Sequence, residues 1–188
     1  MAAVRVANGN SEQYRQVERK IAAAIEKNPK PLMLHCLLGM LYEADDRGED
    51  AVKEYRLVLS LDPRHTVTLN NLACLLAIKE NKVAEALELI NRAIEIAGPD
   101  SEFLDSRCLI QLRGGQIALA LHDIEQAITQ SGAPSKSQLY RLAQTQLANK
   151  NRPAAQAALR KAKQLGLTVT DIARIERSDF EKTVAELE

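Results

Sequence analysis

Residues 32–63 constrain the fold more than any other stretch of the chain. Leu-Met-Leu-His-Cys-Leu-Leu-Gly-Met-Leu-Tyr is followed by the charged turn Glu-Ala-Asp-Asp-Arg-Gly-Glu-Asp and then by Ala-Val-Lys-Glu-Tyr-Arg-Leu-Val-Leu-Ser-Leu-Asp-Pro. Leu34, Leu38, Leu41 and Tyr42 fall on one side of a first helix, and Ala51, Tyr55, Val58 and Leu59 on one side of a second, at the spacing of a helical period. Gly39 and Ala51 are small, and small residues let two helices approach closely. The stretch is therefore a helical hairpin with a glycine-bearing turn.

The pattern recurs. Before it, Tyr14, Val17, Ile21 and Ile25 line one face of a helix that Asn10 or Ser11 can cap and that ends near Asn28-Pro29; its hairpin partner is missing or reduced to the short N-terminal segment. After it, Leu69-Asn70-Asn71-Leu72-Ala73 and Leu76 are joined to Ala86, Ile90 and Ala93 by a turn one residue longer than its counterparts. A fourth unit carries Leu104, Cys108, Gln111, Gly114-Gly115, Ala120, Ile124 and Ala127. A fifth carries Leu139, Leu142-Ala143, Ala155, Leu159 and Ala162, with Ser135 and Gln138 at capping-box spacing and Pro153 in a first helical turn. Aromatic residues make up only 3% of the chain and Trp is absent, so the core must come from Ala, Leu, Ile and Val. In the fourth unit Arg107 stands where the other hairpins carry a leucine, so either this hairpin is loosely packed or Arg107 pairs with a carboxylate from another element. The tail offers the apolar pair Ile172 and Ile175 and a second box-like pair, Ser178 and Glu181, ahead of Phe180, Val184 and Leu187.

Leu38-Gly39, Tyr42, Ala51, Tyr55 and Pro63 stand, in order, where the tetratricopeptide repeat (TPR) keeps its signature residues, and Pro29 precedes Pro63 by the repeat's period. The chain resembles the TPR family over residues 11–167, and in particular the C-terminal part of a TPR array. Its departure is at the first signature position, where His35, Leu69, Leu104 and Leu139 replace Trp. The resemblance implies an all-α fold, a right-handed superhelical solenoid of antiparallel hairpins, with about four hairpins, an N-terminal single helix and a C-terminal covering helix. The expected divisions are a flexible N-terminus at 1–10, an incomplete unit at 11–29, hairpins at 32–63, 66–98, 101–132 and 135–167, and capping helices at 168–188. A repeat stack leaves its last apolar face open, and the tail is expected to cover it.

The resemblance also implies where a ligand sits. First helices of TPR hairpins line a concave surface, and the fifth and ninth positions of each unit point into it. Here these are Cys36 with Met40, Asn70 with Cys74, Asp105 with Leu109, and Tyr140 with Gln144, each pair one helical turn apart. No Lys or Arg occupies them, so the carboxylate clamp of chaperone-binding TPRs is not expected. Met40 and Leu109 offer adaptable apolar contact, Tyr140 a rigid anchor, and Asn70 an amide that bonds a peptide backbone in both directions. The leading reading is a noncatalytic scaffold that binds a peptide or helical segment of a protein partner in this groove. Two plainer readings stand beside it. In one, these residues pack against one another and bind nothing; in the other, the chain is the structural end of a larger TPR superhelix and associates end to end, or with itself, through the N-terminal helix.

Other chemistry finds little support. Lys+Arg and Asp+Glu both number 25, so no net charge draws the chain to nucleic acid or an anionic membrane. The start lacks a signal peptide's apolar run and no later run approaches membrane-spanning length, which points to a cytoplasmic protein. Cys36, Cys74 and Cys108 are odd in number and widely spaced, against a disulfide framework. His35 and Cys36 point about 100° apart on a helix and do not chelate together. Gly114-Gly115 lacks the Lys-Ser/Thr of a phosphate loop. No catalytic residue, cofactor or metal is expected.

Overall fold

The computed structural model describes residues 11–28 and 31–188. The stretch 1–10, expected to be flexible, lies outside the described residues, as do the candidate cap Asn10 and the period-marking Pro29. The described chain is a run of antiparallel helices: α1 (Ser11–Glu26), α2 (Leu32–Ala44), α3 (Gly48–Leu61), α4 (Thr66–Lys79), α5 (Val83–Ala97), α6 (Ser101–Arg113), α7 (Ile117–Gln130), α8 (Lys136–Ala148), α9 (Arg152–Gln164) and α10 (Arg177–Leu187). Two 3₁₀ turns, Val169–Asp171 and Arg174–Glu176, precede α10, and no strand occurs among the described residues. Each helix packs on the next, and α4, α6 and α8 also touch in succession, so α2, α4, α6 and α8 form the inner layer of a right-handed solenoid.

The hairpins close by one device. The backbone N–H groups of Arg47, Lys82, Gln116 and Asn151 donate to the carbonyls of Tyr42, Leu76, Gln111 and Gln146, the same repeat position in each inner helix. Asp46, Asn81, Gly115 and Lys150 take positive φ in these turns, as a Schellman-type helix end requires. The α4–α5 turn reaches Leu76 from one residue further out, so its extra residue is absorbed in the loop while the register of the hairpin is kept. Elsewhere, Asp100 caps α6, Ser135 and Gln138 form the expected capping box on α8, and Pro153 lies in the first turn of α9. The box expected from Ser178 and Glu181 does not form: α10 begins at Arg177, which places Ser178 inside its first turn.

Close approach explains the small residues. A methyl group on Gly39 would lie 2.5 Å from Cε1 of Tyr55, whose ring fills the α2–α3 crossing, and Ala51 is fully buried beside it. The main apolar core runs from Ala51 and Tyr55 through Leu69, Leu72, Leu76 and Ile90 to Ile110. Leu104, Cys108, Ala120, Ile124 and Ala127 form the next layer. At the N-terminal end Tyr14, Val17, Ile21 and Ile25 of α1 pack on Leu38, Leu41 and Tyr42. At the other end Leu167, Ile172, Phe180 and Leu187 cover Leu139, Ala143, Ala155 and Leu159.

Arg107 finds its carboxylate on the second helix of its own hairpin. Its Nε and Nη2 donate to the two oxygens of Asp123 at 2.7 and 2.8 Å, and Nη1 donates to Asn91. Asp123 is 1% exposed, so a bidentate ion pair stands where the repeat ordinarily places apolar contact.

Candidate functional site: the inner helices and the C-terminal segment

The tail does more than cover the last hairpin. From Val169 to Glu176 it turns back along the concave side, where the second 3₁₀ turn packs on both α2 and α4. Arg174 donates to the carbonyl of Ala44, a contact between residues 130 apart in sequence. Ile175 packs against the main core, Asp179 pairs with Arg113 of α6, and the Phe180 ring meets Tyr140 of α8 edge-on at 5.1 Å. Glu176 lies at the centre of this crossing, 8% exposed, with Oε2 2.7 Å from Nη2 of Arg141.

Each inner helix presents one ionisable side chain to that centre: Glu43 from α2, Cys74 from α4, Asp105 from α6 and Arg141 from α8. Burial pushes the Glu43 carboxyl up to about 7; a hydrogen bond from the Tyr55 hydroxyl at 3.0 Å opposes the rise and the Glu176 charge adds to it. Burial likewise raises the Asp105 carboxyl, against the pull of Arg141, whose Nε is 3.6 Å away. The guanidinium of Arg141 is disfavoured by burial, yet Glu176 and Asp105 outweigh that cost and hold it firmly protonated. Two carboxylates, Glu176 and Asp105, thus flank one buried cation, and Glu43 feels the charge of Glu176. Arg141 also donates to Gln144 Oε1 at 2.8 Å, and Gln144 Nε2 donates to the Tyr140 hydroxyl at 2.6 Å, which fixes the orientation of both neighbours.

The eight residues assigned to the groove from sequence fall into distinct places. Met40 borders a cavity of about 340 Å³ between α1, α2 and the tail, together with Glu43, Asn71, Ile172 and Arg174. Asn70 is half-buried, its Nδ2 on Asn71 and its Oδ1 without a protein hydrogen-bond partner among the described residues. Cys74, Asp105 and Gln144 belong to the charged network, with the Cys74 thiol pushed up to about 12 by burial. Cys36, Leu109 and Tyr140 are buried: Cys36 accepts a hydrogen bond from Thr68, and Tyr140 lies beneath Phe180.

Two central residues, Arg141 and Glu176, escape the sequence reading. Counting only fifth and ninth positions passes over Arg141, which follows Tyr140 directly and reaches the groove from the sixth. A guanidinium therefore does hold a carboxylate in this groove, although the expected clamp positions carry none. The available signal is an arginine set within Leu139-Tyr140-Arg141-Leu142-Ala143; Glu176 lies beyond the repeats, where the period gives no register.

Reactive alternatives are absent from the described residues. The three cysteines are free, and Cys108 is a buried spacer whose thiol burial raises to about 12. His35 packs between α2 and α3 with Nδ1 2.7 Å from Glu54, His65 caps α4, and His122 is exposed. Among the described residues no group of three metal-ligating side chains converges, and no helix is long and apolar enough to cross a membrane.

A tetratricopeptide-repeat profile matches residues 34–65, the hairpin of α2 and α3. A TPR repeat-containing protein of Pseudomonas aeruginosa is 30% identical over 119 residues, 63% of this chain and 20% of its own length. The chain thus spans about a fifth of that relative. Among solved structures, PilW, a type IV pilus biogenesis factor, superposes with a TM-score of 0.75 at 18% identity, covering 94% of this chain and 83% of PilW. A thermophilic TPR protein of Thermus thermophilus gives a TM-score of 0.72 at 15% identity, over 89% of this chain and 90% of its own. Residues 34–65 thus match a tetratricopeptide repeat, and the described chain shares the superhelical fold of these solved repeat proteins.

Proposed function

We propose that the protein is a noncatalytic interaction scaffold whose concave groove receives a segment of a protein partner. One observation carries the reading: the chain's own tail lies in that groove and makes side-chain contacts with inner helices from α2 to α8. An inner surface that seats one segment through an ion pair, an aromatic edge and apolar contact has the chemistry to seat another. In this reading Met40, Asn70, Cys74, Asp105 and Gln144 meet the partner directly. Cys36, Leu109 and Tyr140 form the floor that holds them in place. Among the described residues no pair of groups is arranged for acid–base or nucleophilic chemistry, since the raised Glu43 and Asp105 carboxyls are tied to Tyr55 and Arg141 and the thiols are held protonated.

Photo-crosslinking tests the scaffold reading. A benzophenone amino acid placed at Met40 or Asn71 of the full chain, inside its source cell, is expected to capture a protein partner. The same group at Leu119, exposed on the outer helix α7, is the control. Capture from Leu119 alone, or from neither face, removes the groove from the proposal.

A further inference from the structure

The tail's seat has three features that bear on what else sits there. The first is charge. Arg141 is buried with only 7% of its side chain exposed, and Asp105, the other carboxylate near it among the described residues, stands at 3.6 Å without hydrogen-bond geometry. Glu176 supplies the closer contact, an ion pair at 2.7 Å, although its Oε2 likewise lacks hydrogen-bond geometry. With Glu176 withdrawn, the guanidinium faces the groove undersatisfied, and a buried unpaired cation is costly enough to recruit another carboxylate. The second is spacing. Glu176 is the residue before α10 and Phe180 lies four residues on, so both project from one face of a helix start, the carboxylate onto Arg141 and the ring onto Tyr140. The third is incomplete fit. The Oδ1 atoms of Asn70 and Asp105 are buried without a protein hydrogen bond among the described residues, and a cavity of about 340 Å³ separates the tail from Met40, Glu43 and Asn71. Among the described residues the N-terminal half of the crossing is held by Asp171 on Lys136, Ile172 in the layer over α8 and α9, Arg174 on Ala44 and Ile175 on the core.

We propose that Arg174–Phe180 is a tethered occupant of the groove, and that the scaffold's partner is a helical segment with a carboxylate at its N-terminal end and an aromatic residue four positions later, which enters by displacing the tail. The proposal rests on the scaffold reading and specifies its ligand. The incoming carboxylate takes the Glu176 position on Arg141, its aromatic ring takes the Phe180 position on Tyr140, and its backbone meets the open Asn70 amide. A tether sets the threshold for entry. A short linker presents its own segment at an effective concentration of about 1 mM, so a free segment of equal intrinsic affinity with Kd of about 1 μM is weakened roughly 1,000-fold by competition. The tail then acts as a filter that admits only segments matching the site better than it does.

The test uses the full chain and a fluorescein-labelled peptide of residues 174–188 as the probe. The chain carrying Glu176→Arg with Phe180→Ala, whose own tail no longer fits, is expected to bind the peptide at least roughly 100-fold more tightly than the unaltered chain. A peptide with Glu176→Gln or Phe180→Ala is expected to lose about tenfold or more. Equally weak binding by both chains, or equal binding of all three peptides, overturns the proposal. Should the doubly substituted chain lose its helical signal, hydrogen exchange on the unaltered chain decides. Excess unlabelled peptide must then speed exchange across 169–180 while α4 and α5 stay protected, and unchanged exchange overturns the proposal. The two readings fail separately. A groove that crosslinks a partner in the cell while ignoring this peptide leaves the scaffold intact and removes the ligand proposed for it.

Discussion

At the scale of single residues, two positions have consequences that a bench measurement reads directly. Gly39 admits the Tyr55 ring, and a Cβ there at 2.5 Å forces either the ring or α2 to move. Gly39→Ala is expected to lower stability by about 1–3 kcal/mol, the usual cost of overpacking, despite alanine's better helix propensity. A fall in the urea midpoint with unchanged slope checks it. Glu43 governs a pH dependence. Its carboxyl titrates near 7 in the fold, chiefly because it is buried, and near 4.5 when free. The folded chain therefore holds this proton more tightly than the unfolded one. The stability it confers is complete below about 4.5 and is lost as pH rises through about 7. Asp105, also raised, acts with the same sign. Glu43→Gln is expected to flatten this decline, so urea midpoints at about pH 5.5 and about pH 8 should differ less in the variant than in the parent. Residues of this kind were unequally legible. Gly39 and Ala51 were readable because they recur at fixed places in a hairpin, and Arg107 because an arginine breaks an apolar stripe and demands a partner. Glu43 lies one helical turn beyond Met40, but its altered acidity comes chiefly from burial under a tail that no periodicity brings to its side.

At the scale of elements, the α6–α7 hairpin and the tail respond to change differently. The Arg107–Asp123 pair joins two helices at a place where the other inner helices carry Leu38, Leu72 and Leu142. Asp123→Ala alone strands a partly buried guanidinium and is expected to cost about 3 kcal/mol, whereas Arg107→Leu combined with Asp123→Ala should recover most of it. Chemical denaturation of the two single variants and the double supplies the cycle; full additivity would show that the pair is not coupled. In the tail, Phe180 belongs to the apolar layer over α8 and α9 as well as to the groove. Phe180→Ala is expected to raise amide exchange across α10 and the 3₁₀ turns before it, with little effect on α2–α5, because repeat arrays lose stability locally. Helix positions and hairpin turns were legible here, including the longer α4–α5 turn, since capping residues and the repeat period are local signals. The start of α10 was not. The helix begins at Arg177, directly after Glu176, whose side chain pairs with Arg141 of α8 rather than capping the helix.

At the scale of the whole molecule, the large apolar residues of the first and last described helices turn inward onto their neighbours. The outer side of α1 shows Ala22 and Ala23 among Gln13, Arg15, Arg19 and Glu26, all exposed, with its larger apolar residues turned to α2. Multi-angle light scattering is accordingly expected to return a monomer mass at micromolar concentration; a dimer that disappears on replacing Ala22 and Ala23 with Lys would restore self-association through α1. The solenoid as a class of fold was legible in the recurring hairpin together with its resemblance to the tetratricopeptide repeat. What repetition could not announce was the return of the chain into its own concavity.

That return changes the mechanics of the molecule. A superhelix whose repeats touch only their neighbours deforms like a coil spring, with small rotations at each junction adding up along the axis. The tail bridges the first complete hairpin to the last, from Ala44 to Arg141, and so acts as a strut across the coil. With the strut engaged, pitch and curvature are set jointly by all four hairpins; with it withdrawn, each junction relaxes by itself. Engagement of the tail and the stiffness of the molecule are therefore one variable, readable as a broader distance distribution in solution scattering when Glu176 is replaced by Arg.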